Sequence, residues 1–319
     1  MFYDLIIIGG GPAGAAAGVY ASRKKIKSLI IVKDWGGQSR VSPDVQNWIG
    51  TKSISGPELA KNLEEHLKTY AGDVLDFDEG SLVKGVSQLK KLSLTNLPLF
   101  EVETDKNKKY QTHSIIVASG ARRRKLEARG AQNFEGRGVV YCASCDAPLF
   151  KNKEVAVIGG GNAGLESAQQ LLSYASKIYI LEYKEEFSGD PVTCEALLKD
   201  KKIIPILNAK VLEVLGDKFV KGLTYQNRKT GEKKEIKVQG IFVEIGSLPN
   251  ADFIKDLVKI NQQGEIVIDH RNCRTSLEGI WAAGDVTDQP YKQNNISVGE
   301  AIKALEDLYL WLQKKKTTP

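Results

Sequence analysis

Two cysteines separated by two residues are the groups in this sequence best suited to chemistry. Cys142 and Cys145 stand in the run CASCD, so that Asp146 follows the pair directly. A Cys-x-x-Cys pair at a helix start has one thiol of lowered pKa and exchanges rapidly with other disulfides. A carboxyl group at position 146 could pass a proton to the leaving thiolate, or it could cap the helix; both interpretations stay open.

The alternative use of such a pair is zinc binding, which needs two further cysteine or histidine ligands. The sequence has four cysteines, three scattered histidines and no second Cys-x-x-Cys. Cys194 and Cys273 stand alone, and we interpret them as bystanders. The sequence therefore predicts a redox dithiol and no metal site.

Two glycine-rich segments have the same pattern and lie 150 residues apart, because residues 4–14 read DLIIIGGGPAG and residues 154–164 read EVAVIGGGNAG. In each, a short apolar strand leads through Gly-x-Gly-x-x-Gly into an alanine-rich helix. The helices are predicted at residues 12–23 and from residue 163 to about 174. In this context, backbone N–H groups and the helix dipole face a pyrophosphate. The pattern predicts two βαβ dinucleotide-binding units.

The first turn offers three glycines with separate roles. Gly9 permits the tight turn, Gly11 lets the backbone approach a pyrophosphate, and Gly14 lets helix and strand pack closely. Asp34 follows the next predicted strand, at residues 29–32, and is the candidate to bind ribose hydroxyls. The alternative is that Asp34 is a solvated loop residue.

The second turn repeats this arrangement with Gly159, Gly161 and Gly164. Glu182 ends the following predicted strand, where a carboxylate accepts hydrogen bonds from an adenosine ribose diol and repels a 2′-phosphate. Lys184 is the one cation where an NADP site would carry arginines. The sequence therefore favours NADH over NADPH, with the alternative that Glu182 merely ends the strand and both cofactors bind.

Further elements are predicted outside the two turns. The predicted strands are residues 92–104, 112–118, 178–181, 266–269 and 280–283, a hairpin of residues 220–227 and 235–245, and a closing helix at residues 298–313.

Composition describes an ordinary globular protein. The chain has 319 residues, of which 42% are hydrophobic and 26% charged, enough for two domains. No apolar run approaches the roughly 20 residues of a membrane span, and residues 1–8 do not resemble a signal peptide. We therefore expect a cytoplasmic protein without membrane contact. The net charge of +6 lies in short basic runs without interleaved aromatics, which we interpret as solvated loops rather than a nucleic-acid site.

Together these motifs resemble the low-molecular-weight thioredoxin reductase family over the whole chain. The stretches that carry the resemblance are GGGPAG (9–14), GGQ (36–38), NWIG (47–50), CASCD (142–146), GGGNAG (159–164), GSLPN (246–250), AAGDV (282–286) and YKQ (291–293). Within that family the chain most resembles the reductase portion of the flavoprotein subunit of bacterial alkyl hydroperoxide reductase. The stretches here are CDAPLFKNKEVAVIGGGNAG, ILE at 180–182, LNAKVLEV, GIFVEIGSLPN and QPYKQ.

The resemblance implies an α/β fold of two Rossmann-like dinucleotide-binding domains. A discontinuous FAD-binding domain comprises residues 1–118 and 246–319, and the inserted NAD(P)-binding domain, residues 119–245, carries the cysteine pair. The inserted domain rotates, so that the dithiol meets the flavin in one pose and the nicotinamide does so in the other. The resemblance also implies a homodimer. Electrons pass from NAD(P)H through FAD and the Cys142/Cys145 pair to a protein disulfide.

The resemblance assigns the remaining binding residues as well. To FAD it assigns the first glycine turn with Pro12 and Ala13, then Gly37, Gln38 and Asn47 lining the flavin, Asp285 at the ribityl or phosphate region, and Gln293 at the isoalloxazine edge. It counts Gly36, Gly284 and Lys292 among the cofactor-binding residues as well. To NAD(P)H it assigns the second turn with Asn162 and Ala163, then Glu182 and Gly246. Cys145 lies nearer the flavin, and Cys142 attacks the disulfide of the partner.

Several positions depart from the family pattern. Ala147 replaces the usual glycine, Lys292 replaces an arginine, and residues 182–184 (EYK) replace the His-Arg-Arg of NADPH-using members. None of these departures removes a reacting group. The alternatives are a flavoenzyme that reduces ferredoxin or oxygen directly, the same fold supplied by ferredoxin or reduced flavin, and a flavin-bound redox sensor. The CASCD run disfavours direct reduction of ferredoxin or oxygen, which needs no dithiol. The second glycine turn disfavours ferredoxin or reduced flavin as the donor. Retention of both turns and both cysteines disfavours a redox sensor.

The partner is expected to be a separate protein. The flavoprotein subunit that the chain resembles carries an N-terminal thiol-relay domain, whereas this sequence begins its flavin strand at Asp4. We therefore expect a thioredoxin, a glutaredoxin-like relay or a peroxiredoxin as acceptor. The positive net charge favours an acidic carrier through electrostatic steering.

Overall fold

The structure is a computed structural model that describes residues 1–42, 44–89 and 97–317, with the side chains of residues 316 and 317 left aside. The first elements along the chain are β1 (Phe2–Gly10), α1 (Pro12–Arg23), β2 (Ser28–Trp35), α2 (Gly56–Ala71), β3 (Leu75–Glu79), β4 (Val83–Gln88), β5 (Phe100–Thr104), β6 (Lys109–Val117) and β7 (Ala121–Arg123).

The middle of the chain contains β8 (Val139–Val140), α3 (Ala143–Asp146), β9 (Glu154–Ile158), α4 (Asn162–Leu171), β10 (Lys177–Leu181), α5 (Pro191–Leu198), β11 (Ile203–Ile206), β12 (Ala209–Gly216), β13 (Val220–Asn227), β14 (Lys233–Lys237) and β15 (Gly240–Val243). The last elements are β16 (Ser247–Pro249), β17 (Ile280–Ala282) and α6 (Asn294–Thr317).

The first sheet joins both ends of the chain. Within the described residues its order is β3-β2-β1-β6-β5-β4, and β17 pairs with the second half of β6. The strands β3, β2, β1, β6 and β17 are parallel, whereas β4 and β5 form an antiparallel extension. Leu5, Ile6 and Ile7 in β1 are fully buried because both faces of this central strand are covered. The carboxyl ends of the parallel strands therefore form one common edge.

The helix α1 follows β1 as predicted, over the residues expected for it. Pro12 stands at its first position, where the missing N–H costs no hydrogen bond. Alanines and Gly18 keep the helix surface flat, and a Cβ at Gly18 would crowd the side chain of Leu67 in α2. The helix α1 and the closing helix α6 pack closely against each other. Small residues such as Ala17, Ala301 and Ala304 allow this close approach.

The second sheet is entirely parallel in the part of the chain that the structure describes, with the order β11-β10-β9-β15-β8. The helix α4 and the apolar side chains of Val155, Val157 and Phe242 pack on one face. The antiparallel strands β12, β13 and β14 lie against the other face, where Leu223 is fully buried. Both sheets thus have the doubly wound α/β character predicted from the two glycine turns, and the two Rossmann-like units are confirmed.

The chain passes between the two sheets twice. These passages form the antiparallel pair β7–β16, in which Ala121 lies opposite Pro249. Ser119 and Asn250 exchange hydrogen bonds, because the Ser119 hydroxyl donates to the Asn250 carbonyl at 2.7 Å and the Asn250 amide donates to the Ser119 carbonyl at 2.9 Å. The two crossings are therefore tied to each other.

Three predicted elements are corrected. The prediction of a single strand at residues 235–245 is wrong, because this segment contributes to two strands. The exposed β14 pairs with β13, whereas the buried β15 enters the parallel sheet. Residues 266–269 are described and form no strand; isolated bridges there link Ile266 to Ile260 and Thr287. The helix after the second turn ends at Leu171, three residues early. Of the predicted strand 92–104, Phe100–Thr104 is confirmed, and residues 92–96 lie outside the described residues.

The closing helix is longer than expected, starting at Asn294 rather than at residue 298. Among the described residues, no helix is both long and apolar enough to cross a membrane.

Candidate functional site

The larger cavity, of about 620 Å³, lies at the carboxyl ends of β1 and β2. This volume is in the range of roughly 300–1,000 Å³ found for cofactor and ligand pockets. The predicted FAD-binding residues that line it are Gly9, Gly11, Pro12, Ala13, Asp34, Gly37, Gln38, Gly284, Asp285, Lys292 and Gln293. The structure therefore brings residues from four separate stretches of sequence to one cavity.

The first glycine turn fits a bound pyrophosphate. Gly9 has φ of +117°, and a Cβ there would overlap the carbonyl oxygen of Ala118. A Cβ at Gly14 would overlap the carbonyl oxygen of Gly9, which agrees with its predicted packing role. Gly11 faces open space on the cavity side, since a Cβ there would lie 3.8 Å from its nearest neighbour, the Cα of Gly37. The turn thus leaves its backbone accessible to a ligand.

Gly36 and Asp34 differ from most of the predicted FAD residues. Gly36 does not line the cavity. Its φ of +84° and the closeness of Ala60 in α2 explain why a glycine is needed at this position. Asp34 lies at the cavity wall, but it is mostly exposed and pairs with Arg40 at 3.2 Å. A ribose hydroxyl would have to share this carboxylate with the guanidinium.

A smaller cavity, of about 120 Å³, adjoins the first and contains the cysteine pair. Gln38, Asp285, Lys292 and Gln293 line both cavities, and Asn47, Cys142, Cys145 and Asp146 line the smaller one. The redox pair and the FAD-type cradle are therefore two parts of one continuous site.

Cys142 and Cys145 form a disulfide, with their Cα atoms 5.3 Å apart. Cys142 is the N-cap of α3, as the prediction of a helix start required, but α3 is a single turn. The Asn47 side-chain amide lies 3.9 Å from the Cys145 sulfur and donates to Gln293 Oε1 at 3.1 Å. Cys145 thus faces the predicted flavin-lining residues.

Asp146 is buried beside the disulfide, with 5% of its surface exposed. Its side chain caps no helix, so the capping interpretation is wrong, and its Oδ1 has no hydrogen-bond partner among the described residues. Burial raises the pKa of Asp146 to about 7, and the negative charge of Asp44 adds to the rise. Hydrogen bonds from Ser53 and Gln46 lower the pKa of Asp44, which keeps that carboxylate ionised. A group with this pKa can both take and give a proton near neutrality.

The second glycine turn has the same backbone restraints as the first. A Cβ at Gly159 would overlap the carbonyl oxygen of Glu244, and one at Gly164 would overlap that of Gly159. Gly161 and Ala163 begin α4, where Asn162 Oδ1 accepts from the Asp190 N–H at 2.7 Å. This turn also fits a pyrophosphate at a helix N-terminus.

Glu182 is buried at the end of β10. Its two carboxylate oxygens accept from the Gly160 N–H at 2.6 Å and the Lys184 N–H at 2.8 Å. Each oxygen keeps a further lone pair for a ribose hydroxyl. The Glu182 carboxylate therefore holds the glycine turn and stays available to a ligand.

Gly246, another residue predicted to bind the pyridine nucleotide, lies farther along the chain. It has φ of +95°, and its carbonyl accepts from the Arg124 N–H.

Sequence reasoning missed several residues of the site. The first cavity is also lined by residues 81–84, Arg122, Asn250 and Phe253, and the second by Arg123. The basic run at 122–124 is thus not simply a solvated loop, because two of its arginines border cavities. Only the β7–β16 pairing brings them there, and no local pattern signals it.

Arg228 is a second missed cation, near Tyr183. Its guanidinium carbon lies 3.8 Å from the centre of the Tyr183 ring, and Nη1 donates to the Tyr183 carbonyl at 2.9 Å. Arg228 reaches this position from the loop after β13. Lys184 is therefore not the one cation near the end of β10.

Paired glycine substitutions are expected to separate the two binding turns. Gly9→Ala should weaken FAD retention and Gly159→Ala pyridine nucleotide binding. Strain of roughly 1–3 kcal/mol corresponds to about 5- to 150-fold in each case. Flavin content after gel filtration and calorimetric titration with NADH measure the two effects. Gly299→Ala in α6, where a Cβ meets nothing within 4 Å in the described part of the chain, is the control and should retain both ligands. Equal losses in both glycine variants would contradict separate sites.

Comparison with known proteins agrees with this architecture. The family described as pyridine nucleotide-disulphide oxidoreductase matches residues 3–303. The chain is 38% identical over 302 residues to a protein of Bacillus subtilis (strain 168) named NADH dehydrogenase, covering 95% of the chain and 57% of that protein. It is 40% identical over 303 residues to the F subunit of alkyl hydroperoxide reductase from Pseudomonas putida, covering 95% of the chain and 56% of the relative.

Among solved structures, thioredoxin reductase from Streptococcus pyogenes MGAS5005 superposes with a TM-score of 0.89. It is 30% identical, and the match covers 98% of this chain and 99% of that one. The chain spans little more than half the length of the two curated relatives.

Proposed function

The chain belongs to the pyridine nucleotide-disulphide oxidoreductase family, and on this basis we propose that it is a flavin-dependent protein-disulfide reductase. In this proposal electrons pass from NADH through FAD and the Cys142/Cys145 pair to a disulfide on a partner protein. The observation that carries the proposal is the disulfide in a cavity continuous with the FAD-type cradle, with Asn47 in contact with Cys145.

The residues of the chain have distinct parts in this reaction. FAD, when bound, accepts hydride from the pyridine nucleotide and supplies the two electrons that reduce the disulfide. Reduction of the Cys142–Cys145 bond to a Cys142 thiolate and a Cys145 thiol takes up one proton, and Asp146 is placed to supply it. The Cys142 thiolate then attacks the partner disulfide, and Cys145 resolves the mixed disulfide by restoring the internal bond.

We propose residues 1–118 and 246–319 as the FAD-binding domain and residues 119–245 as the pyridine nucleotide domain. In the structure the disulfide lines the smaller cavity, beside the residues proposed to hold FAD, and in this proposal a rotation of the inserted domain presents Cys142 to the partner. The two crossings between the domains are the segments about which the inserted domain can rotate. They are held together by the β7–β16 pair and by the hydrogen bonds between Ser119 and Asn250. Such hinge motions take microseconds to milliseconds and often limit turnover.

Anaerobic titration of the FAD-loaded protein with NADH tests the proposal. Bleaching of the flavin followed by appearance of two thiols per chain is the expected result. Bleaching without thiol formation would favour direct reduction of ferredoxin or oxygen. No bleaching by either pyridine nucleotide would contradict the proposal and point to another donor.

A preference for NADH over NADPH is expected from the buried carboxylate of Glu182. A 2′-phosphate against this charge should cost roughly 1–3 kcal/mol, about 5- to 150-fold in kcat/KM. A B. subtilis relative that carries the name NADH dehydrogenase supports the direction. Steady-state kinetics with both cofactors measure the ratio, and equal values would contradict the expectation.

The structure favours Glu182→Gln as the variant for this test. A glutamine still accepts one backbone hydrogen bond from the glycine turn, whereas arginine would leave the Gly160 and Lys184 N–H groups unpaired. Glu182→Gln should lower the ratio of kcat/KM for NADH to kcat/KM for NADPH, chiefly by raising the value for NADPH. Arg228→Gln is the matched variant, and it should widen the ratio of kcat/KM for NADH to that for NADPH, because it removes a cation beside Tyr183 that attracts a 2′-phosphate.

The acceptor is proposed to be a diffusible thioredoxin- or glutaredoxin-like carrier or a peroxiredoxin. Two relatives, the alkyl hydroperoxide reductase of P. putida and the thioredoxin reductase of S. pyogenes, support this class of partner by their names. Mixing the protein with NADH and a peroxiredoxin, with and without an added carrier, separates the two routes. Full peroxide reduction without the carrier would show direct docking of the peroxidase.

A further inference from the structure

Two buried glutamates flank the second glycine turn from opposite sides. In the second sheet β9 lies between β10 and β15. Glu182 directly follows β10 and Glu244 directly follows β15, and the two are 6% and 9% exposed. Ligands of open α/β sheets bind outside the carboxyl ends of the strands, where the strand order reverses. Both carboxyl groups therefore border the place where a dinucleotide would lie.

The position of Glu244 is fixed by its contacts. The Ser167 hydroxyl on α4 donates to Glu244 Oε1 at 2.7 Å. Its own carbonyl oxygen packs against Gly159, where a Cβ would overlap it. The backbone of Glu244 thus lies against the glycine turn, and its side chain is held by a residue in the middle of α4.

The charged groups around Glu244 come from two elements. Burial raises the pKa of Glu244 to about 7, the Ser167 hydrogen bond and the positive charge of Arg123 on β7 oppose the rise, and Glu166 on α4 adds to it. This carboxyl group is therefore near half-ionisation at neutral pH. A nearby change of one charge will shift that balance.

The two halves of a pyridine nucleotide differ in what they present. If Glu182 accepts from the adenosine ribose on the β10 side, the nicotinamide half lies on the β15 side, with Glu244. The oxidised nicotinamide ring carries a positive charge and the reduced ring is neutral. An ionised carboxylate attracts the positively charged oxidised ring, whereas the neutral reduced ring offers it no opposite charge.

We propose that Glu244 borders the nicotinamide half of the pyridine nucleotide and distinguishes its oxidation states, releasing a proton to solvent when NAD+ binds. The inference rests on the proposed function and specifies a residue that this function does not assign. The step is balanced: the neutral carboxyl becomes a carboxylate, one proton enters solvent, and the carboxylate faces the cationic ring.

Isothermal titration calorimetry of the FAD-loaded protein tests this directly. NAD+ and its neutral-ring analogue, 1,4,5,6-tetrahydro-NAD, are titrated at neutral pH in two buffers of different ionisation enthalpy. We expect release of about half a proton per NAD+ bound and none with the analogue. The Kd for NAD+ should fall by about tenfold between pH 6 and 8, while that of the analogue stays level.

Variants identify the group that releases the proton. Glu244→Gln still accepts from Ser167 and should abolish both the proton release and the pH dependence. Arg123→Gln removes the opposing cation and should move the midpoint of the pH dependence upward. Glu195→Gln, at an exposed position on α5, is the control and should change neither.

Proton release that persists in Glu244→Gln would overturn the inference, as would NAD+ binding without proton release in the parent protein. If Glu244→Gln does not fold, an unchanged midpoint in Arg123→Gln overturns it as well. Failure of both ligands to bind the parent protein would instead contradict the proposed function, and the inference with it.

Discussion

Replacing Cys142 or Cys145 with serine will abolish reduction of protein disulfides while NADH still bleaches the flavin. Both sulfurs are needed, because one attacks the partner and the other closes the internal disulfide. Loss of a reacting nucleophile should lower the rate by about 10³-fold or more. Hydride transfer to FAD should be largely unchanged, since neither sulfur belongs to the glycine turns. Rapid mixing with NADH, and insulin or carrier disulfide reduction, measure the two half-reactions separately.

The two serine variants should also differ from each other. Asn47 contacts the Cys145 sulfur, which supports the proposal that Cys145 lies on the flavin side and that Cys142 attacks the partner. Cys145→Ser should therefore trap a mixed disulfide with a carrier, and Cys142→Ser should not. Cys194→Ser is the matched control, since Cys194 is a free, half-buried thiol on α5. Full reductase activity in either pair variant, or trapping by Cys142→Ser alone, would contradict these assignments.

The parts of the site that could be predicted from the sequence depend on local backbone requirements. A turn in which Gly9 and Gly159 adopt positive φ and Gly14 and Gly164 touch the turn backbone needs glycine at a fixed spacing. The strand before it and the helix after it follow from apolar pattern and alanine content. The Cys-x-x-Cys pair is equally local, which is why its place at a helix start was predictable.

The parts that could not be predicted depend on contacts distant in the sequence. Asp44 influences Asp146 across about a hundred residues, and Arg123 reaches Glu244 only because the two crossings pair. Neither Glu244 nor Arg228 stands in a motif whose spacing predicts its role. The glutamate after β15 did carry a weak signal, since an acidic residue at the end of a buried apolar strand requires a partner.

The wrong hairpin boundary has a physical explanation. The charged run of β14 is exposed, whereas all four residues of β15 are buried, so one continuous strand would have to change environment midway. Val238 and Gln239 form the break, and Gly240 lets the ring of Phe150 approach closely. The change from charged to wholly apolar sequence marks this boundary.

Replacing Asp146 with asparagine should slow disulfide reduction by about 10²-fold or more, the usual contribution of a positioned acid or base. The carboxyl group lies beside the disulfide, one of its oxygens has no partner among the described residues, and its pKa of about 7 allows it to carry the proton near neutrality. Asparagine keeps the shape and cannot exchange a proton. The pH profile of the dithiol half-reaction should also lose its limb near pH 7.

Stability should change in the opposite direction, which separates the proton role from misfolding. The unfolded chain releases this proton in the ordinary aspartate range, whereas the folded protein holds it until about pH 7. The parent protein therefore loses stability as pH rises through that range, and Asp146→Asn does not. At pH 8 the variant should be more stable, by up to roughly 4 kcal/mol. Denaturant unfolding at pH 5 and pH 8 measures this difference.

A second substitution tests the coupling that sets the pH range. Asp44→Asn removes the charge that helps to raise the pKa of Asp146, so the limb of the pH profile should move to lower pH while activity at its optimum is retained. Asparagine at 44 can still accept from Ser53, which keeps the local loop intact. An unchanged limb in Asp44→Asn together with its loss in Asp146→Asn would show that burial alone raises the pKa. If the limb persists in Asp146→Asn, another group carries the proton.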